Sequence, residues 1–168
     1  MLIYHPAFDI YNGVFRMLRL IQNMKKDSME FDRLRIWDFY LVFPNETKNI
    51  TFPNDFSELK NIFKDKPNPY EDLVDAKRIF ERMKPYQSAA LKCLASYGFI
   101  DSKELTKNIV RRTDKEIPNE LKEELRKMNI KEENIIKLVR SPINDLPLLG
   151  KSGFKDRTKL IDIKYDTI

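Results

Sequence analysis

The chain has 168 residues, of which 42% are hydrophobic and 34% charged, and these values suit a folded domain rather than a disordered tail. Its net charge of +5 permits contact with nucleic acid without arguing for it, because acidic and basic residues are mixed along the chain. A single cysteine excludes a disulfide framework, and a single histidine excludes zinc sites built from several of these residues. Since we find neither a signal-peptide pattern nor a membrane-length apolar run, we expect a cytoplasmic protein without membrane contact.

The first half is predicted to be helical. Apolar residues recur at helical spacing over residues 11–24, with polar residues on the opposite side. A second helix, Phe31–Val42, is apolar nearly all round, so we expect it to be the most buried element, with Trp37 as a core anchor. Pro44 ends this helix, because proline disfavours helical geometry at the residue before it. A short helix is predicted over residues 55–63, where the spacing of a capping box occurs.

The second half begins after a candidate hinge at residues 66–69. Helices are predicted over residues 70–83 and 85–97, the second starting at Pro85 and closed by Gly98. A further helix, capped by Asp101 or Ser102, is predicted to run to residue 111. Together these segments have the spacing of a helix–turn–helix.

Two more helices are predicted over residues 120–128 and 135–139. Residues 158–166 then alternate between apolar and charged side chains, which is typical of a half-buried strand. With residues 146–149 as its partner, this strand would form the wing of a winged helix. We therefore predict a mainly α, winged-helix-like fold with a small β-hairpin. Residues 1–66 would form an N-terminal helical region and residues 67–168 a winged-helix-like region, both in one compact unit.

Residues able to perform chemistry are sparse. His5 is the only histidine, and the four glycines lack the spacing of a phosphate-binding loop. Asp162 and Lys164 resemble part of a metal-dependent nuclease centre, but the alternation around them favours the solvent-facing edge of a strand. We predict no catalytic residue, no metal, no cofactor and no small-molecule substrate, and hence no enzyme.

Basic residues in two places are candidates for contacts with DNA phosphates. Lys103, Lys107 and Arg111 would form a stripe on one helix, with Arg112 beside them. The predicted wing carries a second cluster, for which a plain solvated turn is the alternative: Lys151, Lys155, Arg157 and Lys159. Such contacts would be weak and independent of DNA sequence. The helix in the position of a recognition helix opens with glutamates, which the DNA backbone would repel.

Three segments together carry a resemblance to a known family. They are residues 4–11 (Tyr-His-Pro-Ala-Phe-Asp-Ile-Tyr) with Phe15 and Arg16, residues 32–44 (Asp-Arg-Leu-Arg-Ile-Trp-Asp-Phe-Tyr-Leu-Val-Phe-Pro), and residues 153–166. The chain resembles the middle components of bacterial three-component ABC-ATPase (ABC-3C) systems, a group that includes Lamassu-type antiphage defence. The resemblance implies a winged-helix-like adaptor between an SMC-like coiled-coil ABC ATPase and an effector, often a nuclease. In such systems the ATPase would sense foreign DNA while the middle component helps to hold the effector inactive.

The residues of the first segment are candidates for binding a partner protein: Tyr4, His5, Phe8, Asp9, Tyr11 and Arg16. Exposed aromatic anchors are what an adaptor needs at a docking surface. The alternative is an N-terminal segment that is tucked onto its own core. For the whole protein, the alternative to an adaptor is a stand-alone winged-helix DNA-binding transcriptional regulator.

Overall fold

The computed structural model describes residues 4–63 and 72–163, which are mainly helical. The helices are α1 (Ile10–Asn23), α2 (Phe31–Val42), α3 (Ala76–Ser96), α4 (Ser102–Thr106), α5 (Asn119–Lys131), α6 (Glu133–Val139) and α7 (Phe154–Thr158). Short 3-10 helices lie at Pro6–Phe8, Pro44–Asn49, Asn54–Phe63 and Pro142–Asp145. The strands β1 (Ser28–Glu30) and β2 (Ile109–Arg111) pair antiparallel. The predicted mainly α class with a small antiparallel β element is confirmed, whereas the winged-helix-like arrangement stays a prediction.

Helix α1 begins where the sequence provides a cap. The Asp9 side chain accepts a hydrogen bond from the Asn12 backbone N–H at 2.9 Å, which satisfies one of the free donors in the first turn. Met17, Leu20 and Ile21 on its apolar face are buried. The helix predicted over residues 11–24 is therefore confirmed to within a residue at each end.

Helix α2 lies at the centre of the molecule. It packs against α1, α3, α6 and α7, and its residues from Leu34 to Leu41 are buried on every side. Trp37 is fully buried, donates from Nε1 to the Asn144 Oδ1 atom at 2.7 Å and packs against the Phe154 ring. The predicted bounds of the helix, its burial and the anchoring role of Trp37 are all confirmed.

Helix α3 runs without interruption through Pro85, so the predicted boundary between two helices at this residue is wrong. Pro85 is exposed, whereas Met83 and Gln87 on either side of it are buried. Packing of this buried face outweighs the backbone hydrogen bond that proline cannot make. The first residues of the predicted helix and the candidate hinge at 66–69 lie outside the described residues, and the division of the chain near residue 66 stays a prediction.

The end of α3 follows the prediction. Gly98 has a φ of +81°, and the Phe99 N–H donates to the Leu94 carbonyl at 3.0 Å. This is a Schellman cap, in which glycine adopts the left-handed conformation without a steric penalty. The helix–turn–helix turn between α3 and α4 therefore lies where the sequence indicates.

Helix α4 is shorter than predicted. Asp101 caps it by accepting hydrogen bonds from the backbone N–H groups of Lys103 and Glu104, but the helix ends at Thr106 instead of reaching residue 111. Asn108 has a φ of +60°, which an α-helix cannot contain. Residues 109–111 then form β2, whose backbone groups pair with β1.

The predicted C-terminal wing is also wrong in the part of the chain that can be compared. The small sheet is not a hairpin, because its strands come from distant segments, with Met29 opposite Val110. Residues 146–149 are irregular, and α7 occupies Phe154–Thr158 and ends at Lys159 with a φ of +57°. No strand occurs in described residues 158–163, and residues 164–166 of the predicted strand lie outside the description. The buried Phe154, packed on Trp37, explains why this segment turns inward as a helix.

Candidate partner-binding surface

The N-terminal candidates come together around the 3-10 helix Pro6–Phe8 and the first turn of α1. Two of them are exposed: Tyr4 keeps 66% and Tyr11 keeps 70% of its surface accessible, and the neighbouring Ile10 is 45% exposed. The Tyr11 ring lies edge-on against Phe15, with 4.9 Å between ring centroids. An exposed tyrosine on a rigid helix, as Tyr11 is on α1, is suited to protein contact, because it offers a large area and little side-chain entropy to lose. We call Tyr4, Ile10, Tyr11 and Phe15 the aromatic face.

Asp9 holds the aromatic face in place. Its Oδ2 atom accepts hydrogen bonds from the Asn12 backbone N–H and from the Tyr4 hydroxyl, each at 2.9 Å. The pKa of Asp9 lies below its ordinary value chiefly because of the Asn12 backbone hydrogen bond, while desolvation acts in the opposite direction. The same contact with Asp9 raises the pKa of Tyr4, since it favours the protonated phenol. Asn12 also donates from its side chain to both Asp9 and Tyr4.

His5 and Phe8 face the protein interior. His5 Nδ1 accepts a hydrogen bond from the Ala7 N–H at 3.1 Å, and its ring stacks on Phe43. Phe8 packs beside Tyr86 and beneath the Arg82 guanidinium, which lies 4.7 Å from the ring centroid. These contacts fasten the segment to the end of α2 and to α3. Within the candidate set, His5 and Phe8 therefore serve the fold, while Tyr4 and Tyr11 face solvent.

Arg16 is buried, and each of its three guanidinium nitrogens has a hydrogen-bond partner. It pairs with the fully buried Asp38 at 2.6 Å and donates to the Pro6 carbonyl at 2.8 Å. The other Asp38 oxygen accepts from Gln87 at 2.9 Å, and Gln87 Oε1 accepts from Arg35 at 2.9 Å. Arg16 thus ties the N-terminal segment to the core and does not reach the surface.

The same polar network continues through α2 toward α7. Arg35 is buried between the Phe31 and Phe80 rings and pairs with Asp32 at 3.2 Å. Burial lowers the pKa of Arg35, and the charge of Asp32 opposes this shift. Asp32 also pairs with the buried Lys155 at 3.1 Å. The charged residues of the 32–38 segment therefore hold α1, α3 and α7 onto α2.

A cleft of about 340 Å³ lies beside the aromatic face and includes Phe15 in its wall. We call it the α1–α5 cleft, and its lining residues are Pro6, Asn12, Phe15, Arg16, Arg19, Leu41, Val42, Met128, Lys131 and Glu132. Arg19 pairs across it with Glu132, and both lie outside the candidates chosen from the sequence. Nothing local in the sequence indicates that pairing, because the two residues are far apart along the chain.

The predicted basic stripe on one helix does not exist. Lys103 lies on α4, Lys107 follows its end and pairs with Glu104 at 2.9 Å, and Arg111 lies on β2. Arg112 pairs with Asp27 at 3.0 Å and donates to backbone carbonyls near the end of α1. The four-residue spacing does not place these side chains on one helix face, because α4 ends at Thr106 and Asn108 has a positive φ.

The second basic cluster is also divided. Lys155 is buried against Asp32, and Arg157 donates to the backbone carbonyls of Ser152 and Thr51. Lys151 and Lys159 are exposed. Contact with DNA phosphates stays a prediction, and its exposed candidates are Lys103, Lys107, Arg111, Lys151 and Lys159.

No three histidine, cysteine, aspartate or glutamate side chains in residues 4–63 and 72–163 gather as a metal site would require. In the same part of the chain, none of the helices combines the length and apolar character that crossing a membrane demands.

Comparison with known families assigns the chain. The family model "ABC-three component (ABC-3C) system Middle Component 5" (MC5) matches residues 2–166. The chain belongs to the MC5 family. It is thus a middle component of an ABC-3C system. The matched residues include the aromatic face, the polar network of α2, and α7. No curated protein and no solved structure matches the MC5 chain significantly.

Proposed function

We propose that this MC5 chain is a non-catalytic bridging subunit of a Lamassu-like antiphage defence system in the bacterial cytoplasm. It links an SMC-like coiled-coil ABC ATPase to a nuclease-type effector. It helps to keep the effector inactive until the ATPase engages foreign DNA. The observation that carries the proposal is the family match over residues 2–166, because a middle component acts together with other components.

The geometry supports a role in binding partners. Tyr11 is exposed on α1, which the Arg16–Asp38 pair fixes to the core, and Tyr4 is exposed in the segment that precedes this helix. A rigid aromatic anchor costs little entropy when a partner covers it, which favours stable docking. The aromatic face is therefore our candidate for the ATPase-binding surface.

Charged residues of the types that act in catalysis have structural partners in this protein. Arg16, Asp38 and Arg35 are buried and bonded to one another through Gln87. His5 accepts from the backbone and stacks on Phe43. These contacts support an adaptor, since each group already stabilises the fold.

Co-expression tests the bridging role. The chain is expressed with the coiled-coil ATPase and the effector encoded by the neighbouring genes, and the products are separated by size-exclusion chromatography. We expect one particle with all three proteins, and no joint elution of ATPase and effector when this chain is omitted. Elution of this chain as a separate monomer beside its neighbours would refute the bridge.

Reconstitution tests the control of the effector. Degradation of linear DNA is followed with ATP, ATPase and effector, in the presence and absence of this chain. We expect this chain to suppress degradation until DNA is bound by the ATPase, and to show no turnover alone. Turnover by the purified chain that is lost in Asp162→Ala or His5→Ala would show an enzyme instead. A symmetric dimer that binds one DNA sequence at nanomolar concentration would indicate the transcriptional regulator.

A further inference from the structure

We propose that the α1–α5 cleft binds an acidic peptide segment of a partner protein, with a carboxylate at Arg19 and Lys131 and an apolar side chain beside Phe15. This inference rests on the proposed function, because it names the chemistry of the partner segment that such an adaptor would bind. The cleft volume of about 340 Å³ has room for a few side chains and not for a folded element.

The charge of the cleft favours an acidic occupant. Arg16 is neutralised by Asp38 beneath it, and Arg19 is paired with Glu132. Lys131, at the rim, is exposed and forms no ion pair with any residue in the described ranges. The cleft therefore has an excess of positive charge that an incoming carboxylate would offset.

Arg19 provides a second, independent indication that the cleft binds a carboxylate. It is only 3% exposed, and its Nε–H group is buried without a hydrogen-bond partner, although the guanidinium contacts Glu132. A buried donor without an acceptor is uncommon in folded proteins. A carboxylate that accepts from Nε and from a terminal nitrogen together would satisfy this group in the usual fork geometry. Since Nε is not accessible to solvent, the Arg19 guanidinium must rotate away from Glu132 before it can bind the incoming carboxylate.

The apolar walls define the rest of the occupant. Phe15, Leu41, Val42 and Met128 line the cleft between its charged residues. Phe15 also contacts the exposed Tyr11, so the cleft continues onto the aromatic face. A peptide that places an aliphatic or aromatic side chain next to its carboxylate would cover both. A free carboxylate would leave the apolar wall in water, and for this reason we assign a protein segment.

The isolated, full chain provides the first test. A random linear-peptide library displayed on phage is selected against it, and one enriched peptide is titrated by fluorescence anisotropy. We expect enrichment of aspartate or glutamate beside an apolar residue. Lys131→Glu should weaken binding about tenfold, because it reverses a charge at the contact. Lys127→Glu makes the same change on the same helix outside the cleft lining and should alter binding less than about twofold.

A variant with the opposite sign separates binding from structural damage. Glu132→Gln removes the internal partner of Arg19 and should tighten binding of the acidic peptide several-fold, because the guanidinium becomes available to the ligand. Loss of folding cannot produce tighter binding. No enrichment of acidic peptides, equal effects of Lys131→Glu and Lys127→Glu, or weaker binding by folded Glu132→Gln would each overturn the assignment.

The two proposals fail differently. If co-expression yields no joint particle while the peptide results hold, the bridging function is wrong and the acidic-peptide site remains. If the particle forms but Lys131→Glu leaves both it and the peptide titration unchanged, the bridge remains and the cleft assignment is wrong.

Discussion

Buried charges explain much of what single residues do in this protein. Arg16, Arg35 and Asp38 are almost fully buried, and each is paired through hydrogen bonds that cross between helices. Removing a charge from water is costly unless a well-placed partner compensates for it. A motif rich in arginine and aspartate therefore acts here as an internal clamp between α1, α2 and α3.

Removing the partner of a buried charge should be strongly destabilising. Asp38→Ala leaves Arg16 buried without its carboxylate, so we expect a loss of about 3–5 kcal/mol in the free energy of unfolding. Urea denaturation followed by circular dichroism measures this loss. Lys137→Ala, which breaks the exposed pair with Glu133, is the control and should cost less than about 1 kcal/mol. Similar losses in the two variants would contradict the clamp.

Asp9 should make the stability of the N-terminal face depend on pH. Its pKa in the folded chain lies below the ordinary value of 3.8, chiefly because the Asn12 N–H donates to the carboxylate. The stabilisation is thus fully present above about pH 4 and is lost as the pH falls through the folded-state pKa. Asp9→Asn retains a capping side chain but does not titrate. In urea midpoints measured from neutral to acidic pH, the variant should lose less stability on acidification than the wild type, and equal losses would refute the assignment.

At the scale of elements, α3 shows where packing overrides a local rule. Proline inside a helix removes a hydrogen bond and favours a break, so the sequence predicts two helices where one exists. Phe80, Met83, Ala90 and Leu91 on the buried face continue on both sides of Pro85. The hydrophobic effect along this face is worth several kcal/mol, which exceeds the cost of one missing bond.

Replacing Pro85 should consequently stabilise α3. Pro85→Ala restores the backbone donor at an exposed position, so we expect a gain of about 1–3 kcal/mol in the free energy of unfolding. Thermal and urea unfolding measure it. Lys84→Ala at the adjacent exposed position is the control and should be nearly neutral. A destabilised Pro85→Ala variant would contradict the inference that Pro85 lowers the stability of α3.

Elements with strong local signals could be predicted from the sequence, and those formed by distant contacts could not. The capped α1, the apolar α2 before Pro44 and the turn at Gly98 were all predicted correctly. Strands β1 and β2 have three residues each and pair across about half of the chain, so no alternating pattern marks them. The alternation after residue 158 suggested a strand, but the segment that precedes it forms α7 because Phe154 enters the core.

The whole molecule brings the candidate site together from separate parts of the chain. Only Tyr4 and Tyr11 of the aromatic face were predicted from the sequence as partner-binding candidates. The α1–α5 cleft was not, because α1, the end of α2 and the junction of α5 and α6 meet only in the folded chain. For the same reason the sequence could not distinguish the exposed Tyr11 from the buried Arg16, which are close neighbours on one helix.

If the aromatic face binds the ATPase, then truncating its most exposed ring should weaken the complex without altering the fold. Tyr11→Ala should reduce affinity for the ATPase at least about tenfold, because exposed aromatic anchors often dominate protein interfaces. Tyr97→Ala is the matched control: Tyr97 is 60% exposed, but it caps the C-terminal end of α3, about three helical turns beyond Tyr86, which packs near the N-terminal segment. Biolayer interferometry with the immobilised ATPase measures both variants, and circular dichroism checks their folding. Equal affinities for the two variants would show that the ATPase does not dock on Tyr11. A loss of affinity in Tyr11→Ala alone would place the ATPase against α1, the helix that the Arg16–Asp38 pair holds to the core.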